Sequence, residues 1–434
     1  MKRPFILALI ASFTSGLFAG NWSQWRGPSF NGSSPETGLP STWSKSEHVV
    51  WKTALPGESA ATPVVWDDKV FLSSTDSEAD SLLAMCLDRG TGKVLWSKKI
   101  NDGRRQDSRS DYSSPSPATD GNVVVFFYGN GDLVTFDLEG KRLWQRKVQE
   151  EDGFAFQWTF SSSPVLFEGK LYLQVLQRDT PVRGRGASNR KNESYLLAMD
   201  PKTGKTLWKH VRPSQAQAES LESFATPMPF TFRGQKQLLI IGGDDLTAHD
   251  PATGKELWRW GTWNPTRIGH WRHVPSPIAS EDIILVCAPK RDPIYAIKAG
   301  GAGLLNDRAV AWVSKETRVL SSDVPTPAYY DNDFFILSDV RKALSRVEPK
   351  TGRVKWSLEL PGQYKYEASP LAADGKIYLM SFSGEVVVVG AGDGKIMSRI
   401  PMGSGSDNLT RSSIIAAHGQ LFIRTNQQLF CIAK

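Results

Sequence analysis

The sequence predicts an all-β fold: a single eight-bladed β-propeller of four-stranded antiparallel blades, its last blade closed by the N- and C-terminal strands. Three features predict it. A nine-residue phrase recurs, as "DRGTGKVLW" at 88–96, "DPKTGKTLW" at 200–208, "DPATGKELW" at 250–258 and "EPKTGRVKW" at 348–356. Each repeat opens on a Ser/Thr-Pro step, as in "SAATPVV", "SSSPVLF", "FATPMPF" and "EASPLAA". Beyond the first twenty residues, short runs of β-branched and aromatic residues alternate with turn signals, and no sustained helical period appears.

Anchoring the repeat on the tryptophan that ends the phrase gives Trp51, Trp96, Trp144, Trp208, Trp258, Trp312 and Trp356. A degenerate eighth copy, "GDGKIM", ends at Met397. The spacing of about 41 to 64 residues suits one four-stranded blade with variable loops. Within a unit the order is the Ser/Thr-Pro step, a turn such as "DG" or "EG", a strand like "KLYLQVL", a third strand like "YLLAMD", the TGK turn, and the tryptophan strand. Asp88, Asp200 or Asp250 can accept backbone N–H bonds in that turn, and its glycine supplies positive φ. The tryptophan then fills the gap to the neighbouring blade, so all seven are read as structural, inter-blade residues.

Closure follows from counting. Blades are expected at about 58–100, 111–150, 158–212, 222–262, 272–315, 322–361 and 365–402. The C-terminal stretch 409–434 supplies three more strands and stops before a tryptophan strand; residues 47–54, "EHVVWKTA", supply the missing one. Joining the two ends removes exposed ring edges.

Residues 1–20 read as a cleaved secretory signal. Lys2 and Arg3 precede the short apolar run "FILALIASF", and small residues follow, with cleavage expected near Ala19 or Gly20. The mature propeller is then residues 21–434, with 21–57 an N-terminal segment carrying the closing strand, in the periplasm or secreted. No later stretch is apolar enough to span a bilayer. Removing Lys2 and Arg3 from the formal charge of +7 leaves +5, too mild an excess to argue for nucleic acid. Cys86, Cys287 and Cys431 lie far apart in apolar runs and read as buried thiols.

Propeller ligands sit on the axis, where innermost strands begin. Reading a few residues back from each Ser/Thr-Pro step, or its blade-eight equivalent, places Glu58, Asp111, Trp158, Glu222, Arg272, Asp323, Glu367 and Arg411 at one mouth, with His273 beside Arg272. Oxygen-rich rings suit Ca²⁺ or Mg²⁺, and arginines can clamp a carboxylate or phosphate. The densest unusual stretch is "RWGTWNPTRIGHWRHVPSP" at 259–277, where Trp260, Trp263, His270, Trp271, Arg272 and His273 crowd the entry to blade five; Lys290 and Arg291 follow. His270 and His273 have no evident third metal ligand. Two basic inserts, 101–112 and 177–194, read as surface loops. No Ser-His-Asp order, phosphate-cradling loop or zinc motif stands out.

The repeated TGK-x-x-W phrase resembles the pyrroloquinoline-quinone (PQQ) repeat superfamily over nearly the whole mature chain. The opening "NWSQWRGPSFNGSS…LPSTWS" is similar to PQQ-like propellers of planctomycetes and related bacteria. The resemblance implies one of two functions. Quinoprotein alcohol and glucose dehydrogenases hold PQQ with Ca²⁺ at the channel mouth, usually with a vicinal disulfide and a catalytic aspartate; this chain has no adjacent cysteines and lacks long capping insertions. The BamB branch is a noncatalytic envelope scaffold, and its size and blade number fit better, without the lipid-anchoring cysteine. The expectation is therefore an exported monomer without catalytic residues or a resident cofactor or metal, binding an envelope protein or a small anionic or sugar ligand. The alternatives are a PQQ/Ca²⁺-dependent oxidoreductase and a carbohydrate-binding propeller that uses the blade-five aromatics.

Overall fold

In the turn of the third blade, Asp200 Oδ1 accepts the N–H groups of Lys202 and Thr203, both at 2.9 Å, and the Thr203 hydroxyl at 3.0 Å. Gly204 then takes φ of +70° and donates its N–H back to the Asp200 carbonyl at 2.9 Å. The same closure recurs at Asp88 and Asp250. Each turn delivers the chain into the outermost strand of its sheet.

The computed structural model describes residues 20–434 apart from 106, 108, 109, 156, 157, 159, 183, 185, 291 and 316–318. The expected signal segment up to Ala19, and Arg291, lie outside the described residues. Eight sheets are formed. Blade one runs Val64–Trp66, Lys69–Asp76, Ser81–Asp88, Val94–Asp102, each strand antiparallel to the next. The other blades repeat this order, and helix is confined to three short turns among the described residues. Blade eight takes Ile415–Ala417, Gln420–Arg424 and Gln428–Ile432 from the C-terminal end and Val49–Ala54 from the N-terminal end, with Trp51 opposite Cys431. The ring is closed by strands from both ends of the chain.

The tryptophans join neighbours, and the repeat explains how. The tryptophan of one phrase lies on the glycine of the next: a Cβ added to Gly204 would come within 2.7 Å of the Trp144 ring, and one added to Gly254 within 2.6 Å of Trp208. The indole N–H donates to a carbonyl of that same turn, Trp144 to Pro201 at 2.8 Å and Trp312 to Pro349 at 2.7 Å. Trp51, Trp96, Trp208 and Trp356 do likewise with Arg89, Leu138, Pro251 and Ala391.

Trp258 departs from the rule. Blade five has no TGK turn; its third and fourth strands are joined through "AGGAGLLNDRA". Trp258 instead donates to Gln237 Oε1 at 3.0 Å. Residues Gly303–Leu304 of that connection pair in parallel with Trp258 and Arg259, giving blade four a fifth strand. Trp258 is thereby the least exposed of the seven repeat tryptophans. The three cysteines are buried and unpaired, and burial pushes each thiol up to about 12.

Candidate functional site: a closed ring of hydroxyls over a blind central cup

The Ser/Thr-Pro step does more than start a strand. In the seven blades that have the step, and at Ser413 before Ile414 in blade eight, the hydroxyl accepts the backbone N–H of the equivalent residue one blade earlier. The bonds run Thr62 to Ser116, Ser116 to Ser163, Ser163 to Thr226, Thr226 to Ser276, Ser276 to Thr326, Thr326 to Ser369 and Ser369 to Ser413, at 2.8–3.2 Å. Ser413 N–H returns to Thr62 Oγ1 at 3.1 Å and closes the circle. A residue before proline is held extended, which aims its N–H along the ring rather than into a helix. Small β-hydroxylated side chains suit the spot because the oxygen lies one carbon from the backbone it must reach.

Beneath this collar the N-terminal segment crosses the axis. Trp22 exchanges backbone bonds with Val65 at 2.9 and 2.8 Å, Thr119 N–H donates to Ser23 O at 2.8 Å, and Gln24 bonds both backbone groups of Leu166. Tyr329 donates to Asn31, Ala372 to Gly32, and Ser34 Oγ to Ala416 O. Every contact falls three residues beyond the ring hydroxyl of its blade, about 10 Å further down a strand. Six of the eight innermost strands are tied by one segment. Arg26 is buried within it and donates to Pro327 O at 2.8 Å and Pro370 O at 3.1 Å; desolvation lowers it to about 9, so it stays cationic at neutral pH.

Collar and plug enclose a cup of about 490 Å³ on the axis. Trp25 forms part of its lining from the plug, and Ser116, Ser163, Thr226, Ser369 and Ser413 of the ring line its wall. Phe224, Val274 and Val324 add apolar surface. At the rim stand Arg272, Arg411 and Lys290 with Glu219 and Glu367, three cations against two carboxylates. Arg411 Nε donates to Glu367 Oε2 at 2.8 Å and its guanidinium lies over Phe382 at 4.8 Å. Arg272 donates to Glu219 Oε1 at 2.8 Å.

Of the residues read from sequence, Trp158, Arg272, Glu367 and Arg411 line the cup. Glu58 and Asp111 line a small side pocket that Arg411 also reaches. Asp111 is buried, which raises its carboxyl pKa, and accepts both donors of Ser113. Asp323 accepts the Lys290 N–H at 2.8 Å and donates its own to Asp339, whose carboxyl burial pushes up to about 6.

Glu222 and His273 do not line the cup. The backbones entering blades four and five pair with one another, His273 N–H to Glu222 O at 3.1 Å and Phe224 N–H to His273 O at 2.9 Å, and this seals both side chains. Desolvation holds His273 near 3 and raises Glu222 to about 7, although Arg178 Nε lies 3.1 Å from Glu222 Oε1. Arg178, from the basic insert at 177–194, also approaches Glu219 at 3.7 Å, so Glu222, Arg178, Glu219 and Arg272 alternate in charge along this side of the rim. His270 is exposed and His273 buried, and among the described residues no three His, Cys, Asp or Glu side chains converge to hold a metal ion. Of the aromatics read at the entry to blade five, Trp260 and Trp263 are buried with ring centroids 5.4 Å apart, while Trp271 is half-buried.

Sequence reasoning missed Trp25, Glu219 and Arg178, and used the ring hydroxyls only as markers of strand starts. The signal for the hydroxyls was present, since Ser or Thr precedes proline in all seven complete units. Nothing comparable announced Arg178.

The model of a protein family described as outer membrane protein assembly factor BamB matches residues 40–174, 155–267 and 242–434. Among curated proteins, the chain is 26% identical over 188 residues to the tetrathionate hydrolase of Acidithiobacillus ferrooxidans, covering 40% of this chain and 33% of that protein. It is 27% identical over 179 residues to the quinoprotein alcohol dehydrogenase PedH of Pseudomonas putida, covering 39% and 26% respectively. The matched stretches thus span about a third and about a quarter of those relatives. BamB from Moraxella catarrhalis superposes with a TM-score of 0.57 at 13% identity, over 88% of this chain and 96% of that one. At this identity the likeness is one of fold.

Proposed function

Because the chain belongs to the PQQ-like β-propeller family whose model is described as outer membrane protein assembly factor BamB, we propose that it is an exported, noncatalytic binding scaffold whose working face is the mouth of the central cup. It acts in the periplasm or after secretion, as a monomer, and binds an envelope protein or a small anionic or sugar ligand. No helix of the described residues is long and apolar enough to cross a membrane.

One observation carries this reading. The carboxylates that line the cup are already spoken for by arginine, Glu367 by Arg411 and Glu219 by Arg272. A carboxylate neutralised in this way is a poor general base and a poor ligand for a hard cation.

The alternative, a PQQ/Ca²⁺-dependent oxidoreductase, draws support from the likeness to PedH. Trp25 and the rim arginines are compatible with a flat anion, but the donor set does not fit Ca²⁺, which takes six to eight oxygen ligands as a rule. The reading is tested by incubating purified protein with PQQ and Ca²⁺ and following dye-linked oxidation of alcohols and aldoses. No turnover is expected. PQQ-dependent dye reduction that disappears in Glu367→Gln would replace the scaffold with the oxidoreductase.

A further inference from the structure

We propose that the cup takes the terminal uronate of an acidic carbohydrate; this rests on the reading of the mouth as a ligand-binding face. The collar supplies the first argument. Each ring hydroxyl spends one lone pair on the neighbouring blade's N–H, which fixes its oxygen and leaves one proton and one lone pair. None of Ser116, Ser163, Thr226, Ser369 and Ser413 donates to a protein acceptor among the described residues. A wall of fixed oxygens with rotatable protons both donates and accepts, which matches a polyol rather than a ligand that only accepts.

The floor supplies the second argument. Trp25 and the apolar wall from Phe224, Val274 and Val324 need a ligand with a non-polar face, as the C–H face of a pyranose ring provides. An inorganic phosphate has no such face. The rim supplies the third. Arg272 and Arg411 each commit one N–H to a rim carboxylate, and the remaining N–H groups of the guanidinium fork match a carboxylate bidentately. The volume of about 490 Å³ lies within the range of small-molecule sites.

The test uses the full mature chain and titration calorimetry with three probes: digalacturonate, maltose, and isophthalate as a flat dianion without hydroxyls. Digalacturonate is expected to bind at least about tenfold more tightly than either of the others, a difference of about 1.4 kcal/mol. Arg272→Gln should abolish the preference of digalacturonate over maltose. Trp25→Leu should weaken both sugars. If Arg272→Gln fails to fold, Arg411→Lys, which keeps the charge but loses the fork, replaces it. Isophthalate binding as well as digalacturonate would overturn the carbohydrate assignment. Maltose binding as well as digalacturonate would overturn the role of the arginines. Binding of none of the three overturns the inference and leaves the scaffold reading standing, because that reading fails only through PQQ-dependent turnover.

Discussion

The backbone N–H of Ser413 donates to Thr62 Oγ1 at 3.1 Å across a sequence separation of 351 residues, and with it the eight-membered hydroxyl ring becomes continuous. Both residues are buried, so neither partner can fall back on bulk water. Thr62→Val keeps the shape and removes the acceptor. It is expected to cost about 1–3 kcal/mol, the penalty for a buried donor left unmade, and Thr62→Ser should recover most of it. Guanidinium denaturation of the three proteins measures both.

Removal of residues 47–54 takes away the outer strand of blade eight and bares the edge of Gln428–Ile432. An unpaired edge invites another chain. The shortened protein should melt earlier and associate in light scattering; an unchanged monomer with full stability would mean that this pairing contributes nothing.

Gly204 and Gly375 separate two effects of the same substitution. Both have φ near +70°, but a Cβ on Gly204 meets the Trp144 ring whereas one on Gly375 meets nothing within 4 Å. Alanine at either site therefore bears the backbone strain, and Gly204→Ala alone also dislodges the inter-blade indole. Its melting free energy should fall further by about 1–3 kcal/mol, the usual cost of overpacking.

Glu222 should leave a trace in the pH dependence of stability. Its carboxyl is raised to about 7 by burial, against the attraction of Arg178 and Arg272 and with Glu219 adding to the rise. In the unfolded chain it titrates near 4.3, as an ordinary glutamate does, roughly. Between these values the folded state holds a proton that the unfolded state has released, so this contribution is fully present below about 4.3 and is lost as pH rises through about 7. Glu222→Gln removes the titration. The stability of the wild type relative to that variant should decline by up to roughly 3 kcal/mol over this window and then level off. A flat difference would show the carboxylate to be ionised throughout.

The strands and the shared eighth blade were legible because each is announced by a local signal repeated seven or eight times. The axis was legible only where blades share one entry geometry. Counting back from the proline step, or from its equivalent in blade eight, located Arg272, Glu367 and Arg411, whose side chains do line the cup. It misplaced Glu222 and His273, because the entries to blades four and five bond to each other, a contact between segments fifty residues apart that no single repeat encodes. The plug was illegible for a similar reason. Residues 20–34 have no period, and their partners are spread over six blades. Trp25 could be seen as an aromatic but not as part of a floor.

The plug has a kinetic consequence. Asn21 meets His418 across 397 residues, Ser34 meets Ala416 across 382, and Val49–Ala54 waits for Gln428–Ile432. Part of what leaves the ribosome first thus finds its partners among the strands that leave last, although Trp22, Ser23 and Gln24 can already meet blades one to three. The intermediate blades can zip up as local hairpins, but the ring stays unlatched and the plug incompletely tied until the final three strands arrive. Loop closure over such separations is slow. The chain must pass through a long-lived, nearly complete arc with two open ends, the stage at which a chaperone would have the most to do.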